Sequence, residues 1–184
     1  MKLTLLGDSI RLIGYGKKVP ELLGDFEIFQ PTENCRFAKY TLRGLYDWRE
    51  GMKNSDVIHF NVGLWDTCEI FGDGEPFTDL DEYISNLTRI ATNLLKITPH
   101  VIFATTTPVR EGKGDNSTAR IEKYNEAAIR ALTPLGIRIN DLYSAVASDV
   151  NRYILAEDKI HLTSDGIDLC ADLVVKSVKA ALED

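Results

Sequence analysis

A serine becomes a nucleophile only when a base takes its proton, so the chemistry of this chain turns on Ser9 and on the three histidines, His59, His100 and His161. Ser9 follows the strand-like run Lys2-Leu3-Thr4-Leu5-Leu6 and the pair Gly7-Asp8, at the point where a segment of helical period begins. A hydroxyl at such a strand-to-helix turn lies beside unpaired backbone N–H groups with partial positive charge, which would stabilise an oxyanion forming there. A serine in that place can equally serve only as a helix cap. His100 follows Pro99 and opens an apolar run, which puts it at the amino edge of a sheet, away from Ser9. His59 lies inside Val57-Ile58-His59-Phe60-Asn61, where a hydrogen-bonded interior histidine is the common outcome. His161 occupies a polar loop, Asp158-Lys159-Ile160-His161-Leu162-Thr163, just before the last helical segment. Asp158, three residues upstream, can orient His161, fix its tautomer and stabilise the imidazolium that forms when it takes a serine proton.

The elements that must position these groups read as alternating strands and helices. Short apolar runs at 2–6, 26–29, 57–61, 101–105 and 137–139 predict strands. Segments of helical period lie between and after them, at about 10–23, 38–48, 80–96, 118–132 and 164–182. Such alternation predicts βα units wound about a parallel sheet. In a sheet of order 2-1-3-4-5, strands one and three are neighbours at the switch point, so Ser9 and Asn61-Val62-Gly63 would share one crevice. Two polar loops, 67–76 with Gly72-Asp73-Gly74 and 108–116 with Gly112 and Gly114, follow strand ends on that same side. They are candidate substrate loops, or else plain solvated connections.

Composition narrows the partners. A chain of 184 residues with 44% hydrophobic content is long enough to bury a substantial core, and a single domain over 1–184 is expected. The formal net charge of -7 and the pI near 5.0 leave no basic stripe for phosphates or anionic headgroups, so neither nucleic acid nor a membrane surface is an expected partner. Cys35, Cys68 and Cys170 are odd in number, widely spaced and without a CxxC pair, which suggests no disulfide framework, no zinc site and a reducing compartment. The amino terminus lacks the pattern of a secretory signal and no apolar run is long enough to span a bilayer, so a cytoplasmic protein is expected. No metal or cofactor motif is present: neither GxxxxGK[ST] nor GxGxxG follows the first strand, which argues against a phosphate or nucleotide binder.

With these residues in view, Gly7-Asp8-Ser9-Ile10 resembles the GDS block of the SGNH (GDSL-type) hydrolases, and Asp158 to His161 resembles their late DxxH block. The resemblance runs the length of the chain. Asn34 with Ala38 and Lys39 falls where the second block lies, and Thr105-Thr106-Thr107-Pro108-Val109, Tyr124-Asn125 and Ile139-Asn140-Asp141-Leu142-Tyr143 are similar to family connectors. It implies an α/β fold, a flavodoxin-like three-layer α/β/α sandwich with a five-stranded parallel sheet of order 2-1-3-4-5. It also implies no metal, no cofactor and hydrolysis of carboxylic esters through an acyl-serine, with small or carbohydrate-borne acyl groups among the substrates. The implied catalytic set is Ser9, His161 and Asp158.

The chain departs from the family pattern at two places. Lys39 stands where the second block offers a glycine N–H to the oxyanion, and a backbone N–H survives that change. The third block, normally Gly-x-Asn-Asp, reads Gly63-Leu64-Trp65-Asp66, with tryptophan in the asparagine place. The candidate oxyanion donors are therefore Ser9, Lys39 and Asn61, with Trp65 as the alternative to Asn61, and Gly63 and Trp65 are candidate substrate contacts. Asn61 and Trp65 would both face the crevice if the third strand continued through Gly63. With few inserted residues to build a long apolar channel, short acyl groups such as acetyl are expected. The expected partner is a small-molecule ester; the altered third block keeps open a second reading, a flavodoxin-like ligand-binding module without turnover.

Overall fold

Strand runs that are apolar on both sides need a sheet covered on both faces. The computed structural model, which describes residues 1–183, supplies one. β1 (Lys2–Leu6), β2 (Glu27–Phe29), β3 (Val57–Asn61), β4 (Val101–Ala104) and β5 (Arg138–Asn140) form a five-stranded sheet in the order 2-1-3-4-5, every pairing parallel. Leu3 pairs with Val57 and Leu6 with Phe60, so β1 and β3 end side by side.

Alternation along the strands divides the interior in two. Leu3, Leu5, Val57, Ile102 and Ala104 pack with Val19 of α1 (Gly16–Leu22) and with Val174 and Val178 of α8 (Ser164–Leu182). Leu6, Ile58, Phe60, Val101 and Phe103 pack with Leu45 of α2 (Ala38–Asp47), Leu87 and Ile90 of α4 (Leu80–Leu94) and Leu132 of α5 (Thr118–Leu132). Each of these side chains larger than alanine, removed from water, contributes about 1.5–3 kcal/mol. No helix of the described residues is long and apolar enough to cross a membrane.

Three departures from the sequence reading have local causes. The helix expected over 10–23 is broken: a π-helical turn, Ile10–Tyr15, passes through non-helical Gly14 (φ -106, ψ -122) before α1 begins. Within α1, Pro20 has no N–H for the carbonyl of Gly16, which instead accepts a bond from the Gln30 amide at 2.8 Å. Two short helices also follow β5 where only connectors were expected. α6 (Leu142–Ala147) is capped by Asp141, which accepts from Ser144 N–H at 3.0 Å, and α7 (Val150–Tyr153) by Asp149, which accepts from Arg152 N–H at 3.1 Å. A further turn, α3 (Arg49–Met52), follows α2 after the non-helical Trp48 (φ -89, ψ 0).

Candidate active site

Ser9 sits immediately beyond β1, and its side chain does not cap the turn that follows. The cap comes from its neighbour, since Asp8 Oδ1 accepts the N–H of Ile10 at 2.9 Å. Ser9 Oγ is left to face another partner, His161 Nε2, at 2.9 Å.

The loop between α7 and α8 brings His161 there. Ile154 and Leu162 form an antiparallel bridge and Leu155 N–H donates to the His161 carbonyl at 2.8 Å, so residues 155–161 close into a tight loop. At its tip Lys159 takes a left-handed φ of 64°. Asp158 Oδ1 accepts the N–H groups of Ile160 and His161, both at 3.0 Å, while Oδ2 lies 2.7 Å from His161 Nδ1. Partial burial pushes the Asp158 carboxyl upward, but the two backbone N–H groups and the imidazole outweigh it and hold the group below the usual carboxylate range. An ionised Asp158 then selects the tautomer with the proton on Nδ1, and Nε2 is the acceptor for the Ser9 hydroxyl.

The two polar loops serve this arrangement. Arg110 N–H donates to the Lys159 carbonyl at 2.9 Å, Lys159 Nζ returns to the Gly112 carbonyl at 3.2 Å, and Arg110 Nε bonds the Ile154 carbonyl at 2.7 Å. Loop 108–116 thus buttresses the histidine loop. It also grips loop 67–76, through Glu69 N–H to the Asp115 carbonyl at 2.7 Å and Asn116 Nδ2 to Thr67 Oγ1 at 3.0 Å.

Behind Ser9 lies a buried polar group of residues. A Cβ on Gly7 would come within 2.1 Å of Asn61 Oδ1, so only glycine lets the Asn61 side chain pack there. Asn61 is 4% exposed, and its Oδ1 accepts the Tyr15 hydroxyl at 2.6 Å. Burial raises the Asp8 pKa, against the opposing pull of Asn61, the Ile10 N–H and the Arg11 charge. Arg11 is itself 1% exposed, and its guanidinium bonds the carbonyls of Pro31 (2.7 Å), Gly7 (3.0 Å) and Glu33 (2.8 Å). With Cys35 N–H on the Gly7 carbonyl at 3.1 Å, it ties the segment leading to α2 against the Ser9 turn.

The remaining sequence candidates separate. β3 ends at Asn61, and Gly63 (φ 148°) turns the chain into a helical turn, so Asn61 and Trp65 do not share the face that a continued strand would give them. Asn61 is interior, and Trp65 is 41% exposed. Gly63 is buried, and a Cβ there would meet Thr106 Oγ1 at 2.4 Å, so it shapes the turn that presents Trp65. Lys39 lies in the first turn of α2 with its ammonium 2.9 Å from Glu82 at the surface. His100 lies at the amino edge of β4, where its carbonyl accepts the Ile58 N–H at 3.0 Å. His59 is fully buried, with Nε2 3.1 Å from Asn140 Nδ2, and desolvation lowers its pKa to about 3.

Arg11, Tyr15 and Asp66 went unassigned by sequence reasoning. Arg11 carried one signal, as the only charge in the otherwise apolar Ile10-Arg11-Leu12-Ile13. Among the described residues no group of three or more His, Cys, Asp or Glu side chains is placed to hold a metal ion.

No protein-family model matches the sequence, and no curated protein matches it. Solved structures do. A lipase/acylhydrolase from Enterococcus faecalis superposes with a TM-score of 0.81 at 19% identity, over 97% of this chain and 95% of that one. An acetyl xylan esterase gives 0.81 at 20% identity, over 97% of this chain and 100% of that one. An acetylxylan esterase from Geobacillus stearothermophilus gives 0.78 at 16%, over 96% and 93%. The chain has the α/β/α fold of these acylhydrolases and acetylxylan esterases, as its resemblance to the SGNH-type hydrolases implied.

Proposed function

We propose that the protein hydrolyses carboxylic esters through an acyl-Ser9 intermediate. The observation that carries this reading is the unbroken series from Asp158 Oδ2 to His161 Nδ1 at 2.7 Å and from His161 Nε2 to Ser9 Oγ at 2.9 Å. Ser9 Oγ attacks the ester carbonyl carbon while its proton passes to His161 Nε2, and Asp158 stabilises the imidazolium. The tetrahedral oxyanion is held by the N–H groups of Ser9 and Lys39, with the Asn61 amide as third donor, oriented by Tyr15. Collapse expels the alcohol, which takes the proton from His161. Water, deprotonated by the same nitrogen, then attacks the acyl carbon and frees Ser9 and the acid.

The structural neighbours include acetylxylan esterases, and the two loops beside the site are pinned to each other rather than opened into a channel. Both favour short acyl groups, acetyl among them, on a substrate such as an acetylated saccharide. Trp65, exposed on the turn that follows β3, would then be a wall for the alcohol part of the ester. The test is stoichiometric labelling of Ser9 by a fluorophosphonate together with turnover of p-nitrophenyl acetate. A protein that did neither would be a ligand-binding module on the same scaffold.

A further inference from the structure

The start of α2 has an unusual source of capping. Its own cap position, Phe37, offers no side-chain acceptor, and the first N–H groups of a helix have no partners within it. The N–H of Ala38 is met instead by Asp66, from the turn beyond β3, with Oδ1 at 3.2 Å and Oδ2 at 3.0 Å. Asp66 is completely buried, and its own carbonyl accepts the Thr78 N–H at 3.0 Å, so the carboxylate is rooted in two segments that neither begin nor end α2.

The segment 31–38 is consequently fastened at both ends. Arg11 holds its beginning, through the Pro31 and Glu33 carbonyls, to the turn that carries Ser9. Asp66 holds its end, and the next N–H along the helix is that of Lys39. Thr41 Oγ1, bonded to the Cys35 carbonyl at 2.7 Å, locks the first helical turn between these anchors. With Ala38 N–H consumed by the carboxylate, the next N–H along the first turn, that of Lys39, stays free of any partner within the helix.

We propose that Asp66 is a positioning residue for ester hydrolysis: by holding the Ala38 N–H it fixes where the Lys39 N–H points and so sets one side of the oxyanion site. This rests on the functional reading above. Preorganised donors matter because they need no reorientation as charge develops, and losing one costs about a hundredfold or more in kcat. A helix start left to drift would lose that advantage without losing ground-state binding.

The experiment compares Asp66→Ala and Asp66→Asn with the parent on p-nitrophenyl acetate, alongside fluorophosphonate labelling of Ser9 and hydrogen exchange at the Ala38 amide. Asp66→Ala should lower kcat about a hundredfold with KM changed less than about threefold, and should speed Ala38 exchange. Asp66→Asn, whose amide oxygen can still accept from Ala38, should recover kcat to within about fivefold of the parent. Should Asp66→Ala fail to fold, Ala38→Pro deletes the same bond from its other side. Proline is accepted at a first helical position, and Phe37 is already extended (φ -93, ψ 167), so the same loss of kcat is expected. A parent that is active and labelled, with undiminished kcat in the folded variant that lacks the bond, overturns the proposal alone. A parent that neither turns over ester nor labels overturns the functional reading and the proposal with it.

Discussion

His59 is enclosed in the middle strand of the sheet and bonds one amide, whereas His161 closes a surface loop, with a carboxylate on one ring nitrogen and a hydroxyl on the other. The side chain is the same, and the surroundings decide its chemistry. Desolvation keeps the His59 ring neutral far below ordinary pH, so it cannot carry a proton for a substrate. His161 is partly open to solvent and has an anion behind it, so an imidazolium formed there would be stabilised. Burial removes a base from use; pairing at the surface puts one to use.

The sharpest way to break this contrast is to exchange the roles. Ser9→Ala and His161→Ala should each lower kcat/KM for p-nitrophenyl acetate by about a thousandfold or more, since nucleophile and base act as one unit. His59→Gln should remain within about threefold of the parent at neutral pH. Asp158→Ala should fall between these, because its carboxylate orients and stabilises His161 without reacting. An active His161→Ala beside an inactive, folded His59→Gln would reverse the assignment.

A second effect separates the buried groups by sign. His59 has a folded pKa of about 3 against an ordinary 6.5, so the unfolded chain binds a proton that the folded one refuses. Its contribution to stability is therefore lost as pH falls from 6.5 toward 3. Asp66 is the opposite: burial pushes it up to about 7 from 3.8, so the folded chain keeps a proton that the unfolded one releases, and stability falls as pH rises between those values. The two slopes oppose each other from about pH 4 to 6.5 and mask one another in the parent. Denaturant titrations should uncover them. Relative to the parent, His59→Gln should gain about 2 kcal/mol of stability on going from pH 7 to pH 5, and Asp66→Asn should gain on going from pH 5 to pH 8. Equal shifts in one direction would show that burial does not govern both groups.

How much of this was legible in the sequence follows the distance between partners. Ser9 ends an apolar run and Asp158 lies three residues from His161, so both halves of the hydrogen-bonded series were visible as local pattern. The parallel α/β class was legible in the alternating runs, while the order 2-1-3-4-5 came from the resemblance to the SGNH hydrolases. Arg11 and Asp66 reach partners 20 to 24 and 28 residues away, and Tyr15 reaches Asn61 over 46, so no spacing in the chain announces them. The broken first helix was hidden because Gly14 and Pro20 sit inside an otherwise helical period, and tertiary packing settled the outcome. α6 and α7 were hidden by their shortness, although Asp141 and Asp149 are the capping residues that helices of any length use.

The contrast between interior and surface also bears on substrate, with a smaller effect. If the loops 67–76 and 108–116 stay pinned to each other, acetyl esters should exceed octanoyl esters in kcat/KM by about tenfold or more, since little apolar surface is available to bind the extra methylenes. A value that climbs steadily with chain length would show that the loops part.

The smallest effect is expected at Lys39, where the contrast lies within one residue. Its ammonium is 2.9 Å from Glu82 with 69% of the side chain exposed, an ion pair of the kind that contributes about 1 kcal/mol or less. Its backbone N–H lies in the first turn of α2, just after the N–H that Asp66 holds. If only the backbone serves the oxyanion, Lys39→Ala removes nothing that the reaction uses, and kcat should stay within about twofold of the parent. Lys39→Gly places at this position the residue the SGNH family carries, and should also leave kcat nearly unchanged at a small cost in thermal stability, since glycine in a helix costs about 1 kcal/mol. The measurement is kcat and melting temperature for both variants. A hundredfold fall in kcat for Lys39→Ala would mean that the ammonium itself reaches the substrate, and the division between a structural surface charge and a functional backbone donor would fail at this residue.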